Sequence, residues 1–173
     1  MLVELQIINA KLTPLSDNEV RAIVEIEMHP AVREWLVDYI FEDFDKELED
    51  YKRFFREVQG NDKVEVLVAK LGDKVVGFLA LWVTEERGER VGSVGVSVHP
   101  DHWGKGVATK LVKESVELAR ALNVKKLIIE TVEENVAMRR VAEKLGFKLE
   151  CVREDKLFKN GSRHDEYVYS LRL

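Results

Sequence analysis

The spacing of hydrophobic residues changes period several times along this chain, and each change marks an element. Residues 2–10 alternate apolar and polar, as a strand does. In "LSDNEVRAIVEIEM" the period lengthens to that of a helix. Val20, Ile23, Val24 and Ile26 supply the apolar positions, and Ser16 with Glu19 forms a capping box. Pro30 suits the first turn of a next helix whose apolar face is Val32, Trp35, Leu36, Tyr39 and Ile40. "DKELEDYKRFFREV" is amphipathic through Leu48, Tyr51, Phe55 and Val58. Strands are then expected at about 64–70, 75–83 and 90–98, separated by the turn "LGDK" and a turn through Gly88. A long helix follows, with Ala108, Leu111, Val112, Ser115, Leu118, Ala119 and Leu122 on one face. "KKLIIETV" reads as a short strand buried on both faces. "NVAMRRVAEKLGF" reads as a helix with Met138, Val141, Ala142 and Leu145 inward, closed by Gly146. Two strands, about 148–158 and 163–172, flank the hairpin signal "KNGS".

The order β-α-α-β-β-β-α-β-α-β-β predicts one α/β domain over residues 1–173. Meandering strands followed by a β-α-β crossover require a mixed sheet, mostly antiparallel, of about seven strands with four to five helices. The 173 residues suffice for one core, and a hydrophobic share of 46% excludes a disordered chain. No apolar run is long enough to span a bilayer, so no membrane partner is expected. The start, "MLVELQIINAKL", lacks a basic region and a cleavage site and alternates like a strand. The expected location is the cytoplasm. A formal charge of −5 argues against general nucleic-acid binding. A single cysteine, Cys151, excludes an internal disulfide and a cysteine zinc site; it is expected to be a buried, inert thiol. His99 and His102 lack further ligands nearby in sequence, so no metal is expected.

The stretch "VGSVGVSVHPDHWGKGVATKLV", Val91 to Val112, joins a β-branched strand to a helix through a proline turn and two close glycines. Glycines let main-chain amides approach a ligand, and the first turn of a helix favours an anion. The stretch thus predicts a main-chain cradle for a phosphate or diphosphate. It lacks the P-loop pattern, and Thr109 stands where a dinucleotide fingerprint has its third small residue. A nucleotide site and a purely structural turn remain alternatives on spacing alone.

Trp103-Gly104-Lys105-Gly106-Val107-Ala108 resembles motif A of the GNAT superfamily of N-acetyltransferases, Arg/Gln-x-x-Gly-x-Gly/Ala, with Trp103 replacing the usual first residue. That replacement resembles the branch of ribosomal-protein N-terminal and spermidine acetyltransferases. Asn135, "EKLGF" and the terminal "FKNGSRHDEYVYSL" are similar to the same branch. The resemblance implies an acyl-CoA N-acyltransferase fold, acetyl-CoA as donor and transfer to a primary amine. The acceptors implied, in order, are a protein N-terminus, a polyamine and an aminoglycoside-like compound. It also implies that strands 90–98 and 126–131 splay apart around the pantetheine arm, with main-chain groups near Val96 and Val98 pairing with it. A bulge near Gly92 to Gly95 is expected, because Val91 is out of phase with Val94, Val96 and Val98. The cofactor set is then Val96, Val98, Trp103, Gly104, Lys105, Gly106, Val107, Ala108, Thr109, Asn135 and Arg139. A homodimer is common in the superfamily.

Acetylation of an amine requires a base, because an alkyl amine is mostly protonated at neutral pH. By the resemblance Glu130, five residues before Asn135, is the base; a helix-end acid or a partner of a lysine is its structural alternative. Glu133 and Glu134 are expected as acids at a helix N-terminus, and Asp165 and Glu166 as secondary amine-holding groups. The tyrosine that often serves as acid falls at Ala142; a thiolate is a good enough leaving group to depart with help from water alone, and Tyr167 or Ser97 is the alternative proton donor. That gap favours an alternative, a non-catalytic domain that binds acyl-CoA. Asn135 serves either the cofactor or its own helix as a cap. "FEDFDKELED", with six acids and one lysine, is either a solvated face or an attractor for a cationic acceptor.

Overall fold

The computed structural model describes residues 2–36 and 42–173. The chain runs β1 (Leu5–Asn9), α1 (Asp17–Met28), α2 (Pro30–Arg33), α3 (Phe44–Val58), β2 (Val64–Leu71), β3 (Lys74–Glu86), β4 (Glu89–Val98), α4 (Val107–Ala121), β5 (Lys126–Val132), α5 (Val136–Lys144), β6 (Lys148–Lys159) and β7 (Ser162–Arg172). Three helices precede β2, one more than the expected order held. α2 stops after one turn, and the expected positions Tyr39 and Ile40 lie outside the described residues. The capping box at Ser16 and Glu19 is present, and Gly146 closes α5 with φ 88°.

The seven strands form one sheet in the order β1-β2-β3-β4-β5-β7-β6. All neighbours are antiparallel except β4 and β5, which the α4 crossover makes parallel. Helices cover both faces. α4 and α5 pack on one with Leu79, Leu81, Leu111, Val112, Leu127 and Ala142; α1 and α3 pack on the other with Val20, Ile23, Val24, Val66, Val68 and Phe78. This explains why β2, apart from Glu65 and Lys70, and β3 from Val75 to Val83 carry no polar side chain, rather than alternating.

The structure corrects the expected bulge. β4 keeps an unbroken register against β3, from Gly77 opposite Val98 to Glu86 opposite Glu89. Val91, Val94 and Val98 are all buried without a break in that register, Val94 and Val98 in the core beneath α4. Gly92 lets this strand lie close: a Cβ there would stand 2.7 Å from Leu127 and 2.8 Å from Leu81. Cys151 is exposed rather than buried. It lies on β6, one of the two edge strands, most of whose residues face solvent. Among the described residues, no helix is long and apolar enough to cross a membrane.

Candidate functional site

β4 and β5 pair only at Val91–Lys126, Gly92–Leu127 and Ser93–Ile128. Beyond Ser93 the two strands part, as expected. Among the described residues, no strand pairs with that edge of β4 from Val94 to Val98. Its outward main-chain groups stand ready for an extended ligand, as at any open sheet edge.

The chain then turns toward α4. His99 Nδ1 accepts from the Asp101 amide, which sets a 3-10 turn at Pro100–His102. Trp103 closes the turn by donating its indole N–H to the Val98 carbonyl at 2.7 Å. Gly104 and Gly106 follow with φ 69° and 81°, left-handed conformations that favour glycine. A Cβ at either would meet nothing within 4 Å, so the loop presents bare main chain to open space. Gly106 is the N-cap of α4; no side chain caps this end and no acid lies in its first turn. The first-turn amides and the positive end of the helix dipole therefore point outward uncompensated.

These parts border a cavity of about 430 Å3. Nine of the eleven expected cofactor residues line it: Val96, Val98, Trp103, Gly104, Gly106, Val107, Ala108, Thr109 and Asn135. Lys105 and Arg139 do not. Arg139 is held elsewhere, donating to the Tyr169 hydroxyl at 3.2 Å and the Glu133 carbonyl at 3.0 Å, with its guanidinium 4.3 Å above the Tyr167 ring. Asn135 has the expected cap role, its Oδ1 accepting from the Met138 amide at the start of α5, and also borders the cavity. His102 also lines the cavity; burial lowers its pKa, with Lys74 and Lys105 adding to the effect.

A second cavity, about 790 Å3, lies between the sheet and the α1/α3 layer. The two cavities share Leu36, Val96 and Ser97, so they meet on the unpaired half of β4. Glu27, Glu42, Glu47 and Asp50 supply acid to the second cavity, and Tyr51, Phe54, Phe55, Phe78 and Trp82 supply aromatic walls. The acidic run thus divides by role. Asp43 caps α3 through the Lys46 amide, whereas Glu42, Glu47 and Asp50 border the cavity.

Glu27 was not legible as a site residue. It is 8% exposed, and Ser97 Oγ donates to its Oε1 at 3.1 Å. Burial pushes its carboxyl up to about 7, against the pull of the Ser97 hydrogen bond; the Glu47 charge adds to the rise. Such a group is half ionised at neutral pH and suited to taking up and releasing a proton. The signal was present in the sequence. The stripe of α1 runs Val20, Ile23, Val24 and then Glu27, a carboxylate on the apolar face.

The expected base and acid are placed differently. Glu130 lines neither cavity. Its Oε1 accepts from Arg153 at 2.7 Å, and the same guanidinium nitrogen reaches Glu166 at 2.8 Å. This matches the structural alternative for Glu130, with arginine in place of lysine. Tyr167 lines neither cavity, and its hydroxyl donates to Glu133 at 3.4 Å. Glu133 and Glu134 precede the Asn135 cap rather than occupying the first turn, and Glu134 pairs with His164. Asp165 accepts from the Asp155 amide. Ala142 is fully buried in the core. The His29 and His99 rings lie 5.5 Å apart, but no three His, Cys, Asp or Glu among the described residues are grouped to hold a metal.

A model of the acetyltransferase (GNAT) family matches residues 29–147. The uncharacterized N-acetyltransferase YoaA of Bacillus subtilis (strain 168) is 30% identical over 97 residues, 56% of this chain and 52% of YoaA. The match thus spans about half the length of that relative. The yncA protein of Salmonella typhimurium, solved with its cofactor acetyl-CoA, superposes with a TM-score of 0.78 at 24% identity, over 98% of this chain and 94% of that one. The spermidine N-acetyltransferase of Vibrio cholerae, solved with CoA and spermine, gives 0.80 at 20% identity, over 97% and 95%. At these identities the two structures speak for a shared fold.

Proposed function

The chain belongs to the acetyltransferase (GNAT) family, and on that premise we propose that it transfers an acetyl group from acetyl-CoA to a primary amine within a ternary complex. One observation carries the reading: the uncapped start of α4, presented by two left-handed glycines, adjoins the half of β4 that has no neighbouring strand. The amides of residues 104–109 hold the diphosphate, and the edge at Val96 and Val98 takes the pantetheine arm. Asn135 stands at the other wall of the same cavity. Acetyl-CoA supplies an activated thioester whose sulfur leaves readily. A main-chain amide near Val98 supports the oxyanion.

The second cavity receives the amine. Its four carboxyl groups and aromatic walls support a cationic aliphatic acceptor such as a polyamine, the class to which the spermine held by the Vibrio cholerae enzyme belongs. A protein N-terminus is the second acceptor class. The exposed Leu149, Val152 and Phe158 on β6 support a homodimer through that edge.

A non-catalytic acyl-CoA-binding domain is the second reading, favoured by Ala142 in place of the family's tyrosine. The test has two stages. Acetyl-CoA, but not NAD or ATP, is expected to raise the melting temperature; a ligand at one hundred times its Kd adds about 2.7 kcal/mol. Thiol release is then measured with spermidine, an alanine-initiated peptide and propylamine. Stabilisation by acetyl-CoA without release for any amine supports the binding domain.

A further inference from the structure

We propose that Glu27 is the base that takes the proton from the incoming ammonium, at the seam where the donor and acceptor cavities meet. The inference rests on the acetyl-transfer reading above and adds to it a residue that no part of motif A contains.

Position is the first argument. Ser97 lies between Val96 and Val98 on the open half of β4, and it borders both cavities. Glu27 Oε1 is one hydrogen bond, 3.1 Å, from the Ser97 hydroxyl. The carboxyl therefore stands on the acceptor side of the strand edge assigned to the thioester arm. The second argument is charge. Glu27 is nine-tenths buried on an apolar helix face, and among the described residues no cation pairs with it. The charged groups that share its cavity are all acids: Glu47, Glu42 and Asp50 from α3 and the segment before it. Among the described residues no lysine, arginine or histidine lines that cavity, although Lys46 pairs with Glu42 and Arg53 with Asp50 from outside it. A buried carboxylate without a cation is costly in a finished fold, and an ammonium ligand relieves that cost. Glu130 offers neither property, being ion-paired to Arg153 and outside both cavities.

The step balances. The ammonium R-NH3+ gives one proton to the Glu27 carboxylate, leaving R-NH2 and a neutral carboxyl. The nitrogen lone pair forms a C–N bond to the thioester carbon. On collapse the C–S bond breaks, and its electron pair leaves on sulfur. The second nitrogen proton goes to that thiolate, giving the amide and the free thiol. Glu27 then returns its proton to water.

The test uses the full chain and Glu27→Gln, with whichever of spermidine, the alanine-initiated peptide or propylamine the unaltered chain turns over. Glu27→Gln is expected to lose at least about 100-fold in kcat/KM while its acetyl-CoA Kd stays within about threefold. The unaltered chain shows an acid limb near neutral pH. The variant lacks it and instead gains about tenfold per pH unit toward the amine's own pKa, because solution then supplies the free amine. A donor-free readout accompanies this: with carbon-13-labelled glutamate carboxyls, one resonance titrates near neutrality and vanishes in the variant. Retention of rate within threefold, a defect constant from pH 7 to 9.5, or no such resonance overturns the assignment. If the unaltered chain binds acetyl-CoA yet acetylates no amine, the acetyl-transfer reading itself fails and takes Glu27's role with it.

Discussion

Replacing Glu27 with glutamine should make the protein more stable as it makes it less active. Glutamine keeps the shape and an oxygen that accepts from Ser97, but it never carries charge. In the native chain the Glu27 carboxyl sits at about 7 rather than 4.5. At 1.36 kcal/mol per unit this corresponds to about 3 kcal/mol. The sign follows from which state binds the proton more tightly. The native state does, so stability contributed by this group is complete below pH 4.5. It falls as pH rises from 4.5 to about 7, while the unfolded chain ionises first, and the loss is full above 7. Glu27→Gln escapes that loss. Urea unfolding of both chains from pH 4 to 8.5 should therefore give nearly equal stabilities at pH 4 and an advantage of about 3 kcal/mol for the variant at pH 8. For a chain of this size each kcal/mol moves Tm by about 2–4 °C, so the melting curves should separate by about 6–12 °C at pH 8. A difference independent of pH, or a variant less stable than the parent at pH 8, refutes the reasoning, because either means that Glu27 is not ionised at a cost in the fold.

Gly106→Ala forces a Cβ into a left-handed N-cap at φ 81°, at a cost of about 1–2 kcal/mol, and disturbs the amides of the cradle; isothermal titration should show acetyl-CoA binding weakened at least tenfold. Gly92→Ala places a Cβ 2.7–2.8 Å from the buried Leu127 and Leu81. Overpacking of this kind should lower unfolding free energy by about 1–3 kcal/mol in a denaturant titration, with the donor affinity of the folded fraction retained. Glu130→Gln removes an ion pair whose members are both more than one-third exposed, so it should cost under about 1 kcal/mol and keep kcat/KM within threefold. A loss of 100-fold there would return the base to Glu130.

The sequence disclosed what is local. The proposed cradle lies in one run of some twenty residues, and the glycines and the bare helix start that shape it are encoded there; eight of the nine cofactor residues expected within that run line the cavity, Lys105 being the exception. Arg139 was misplaced because its helix position was legible but its partners were not. Tyr167 and Tyr169 reach it from β7, about thirty residues on. Cys151 shows the same limit in another form. Its strand was evident from the pattern, but whether that strand is central or outermost depends on pairing order, which periodicity does not encode. The expected bulge failed because an apolar residue out of phase was read as an irregularity of one strand, whereas Val91 is buried within an unbroken β3–β4 register. Glu27 and Ser97 are seventy residues apart, and neither motif nor spacing joins them. Only the carboxylate interrupting the apolar stripe of α1 could have singled out Glu27.

Ser97 decides between two accounts of the same geometry. In one it tunes the base: its hydroxyl donates to the ionised carboxyl and holds the Glu27 pKa below where burial alone would put it. In the other it is the acid that stands in for the tyrosine missing at Ala142. Ser97→Ala separates them through its pH dependence. A hydrogen bond to a charged group contributes about 1.5–3 kcal/mol, so its loss should raise the Glu27 pKa further by about one to two units. On the tuning account, the acid limb of the rate profile moves to higher pH by that amount. The rate is depressed at pH 7, and it recovers toward the parent value above pH 9. Stability at pH 4 changes little, because neutral Glu27 needs the donor less. On the other account the rate falls at every pH and does not recover, while the limb stays in place. The tuning account requires that the limb move. If kcat/KM of Ser97→Ala is reduced by a constant factor from pH 6 to 9.5, Ser97 delivers a proton rather than setting where Glu27 holds one.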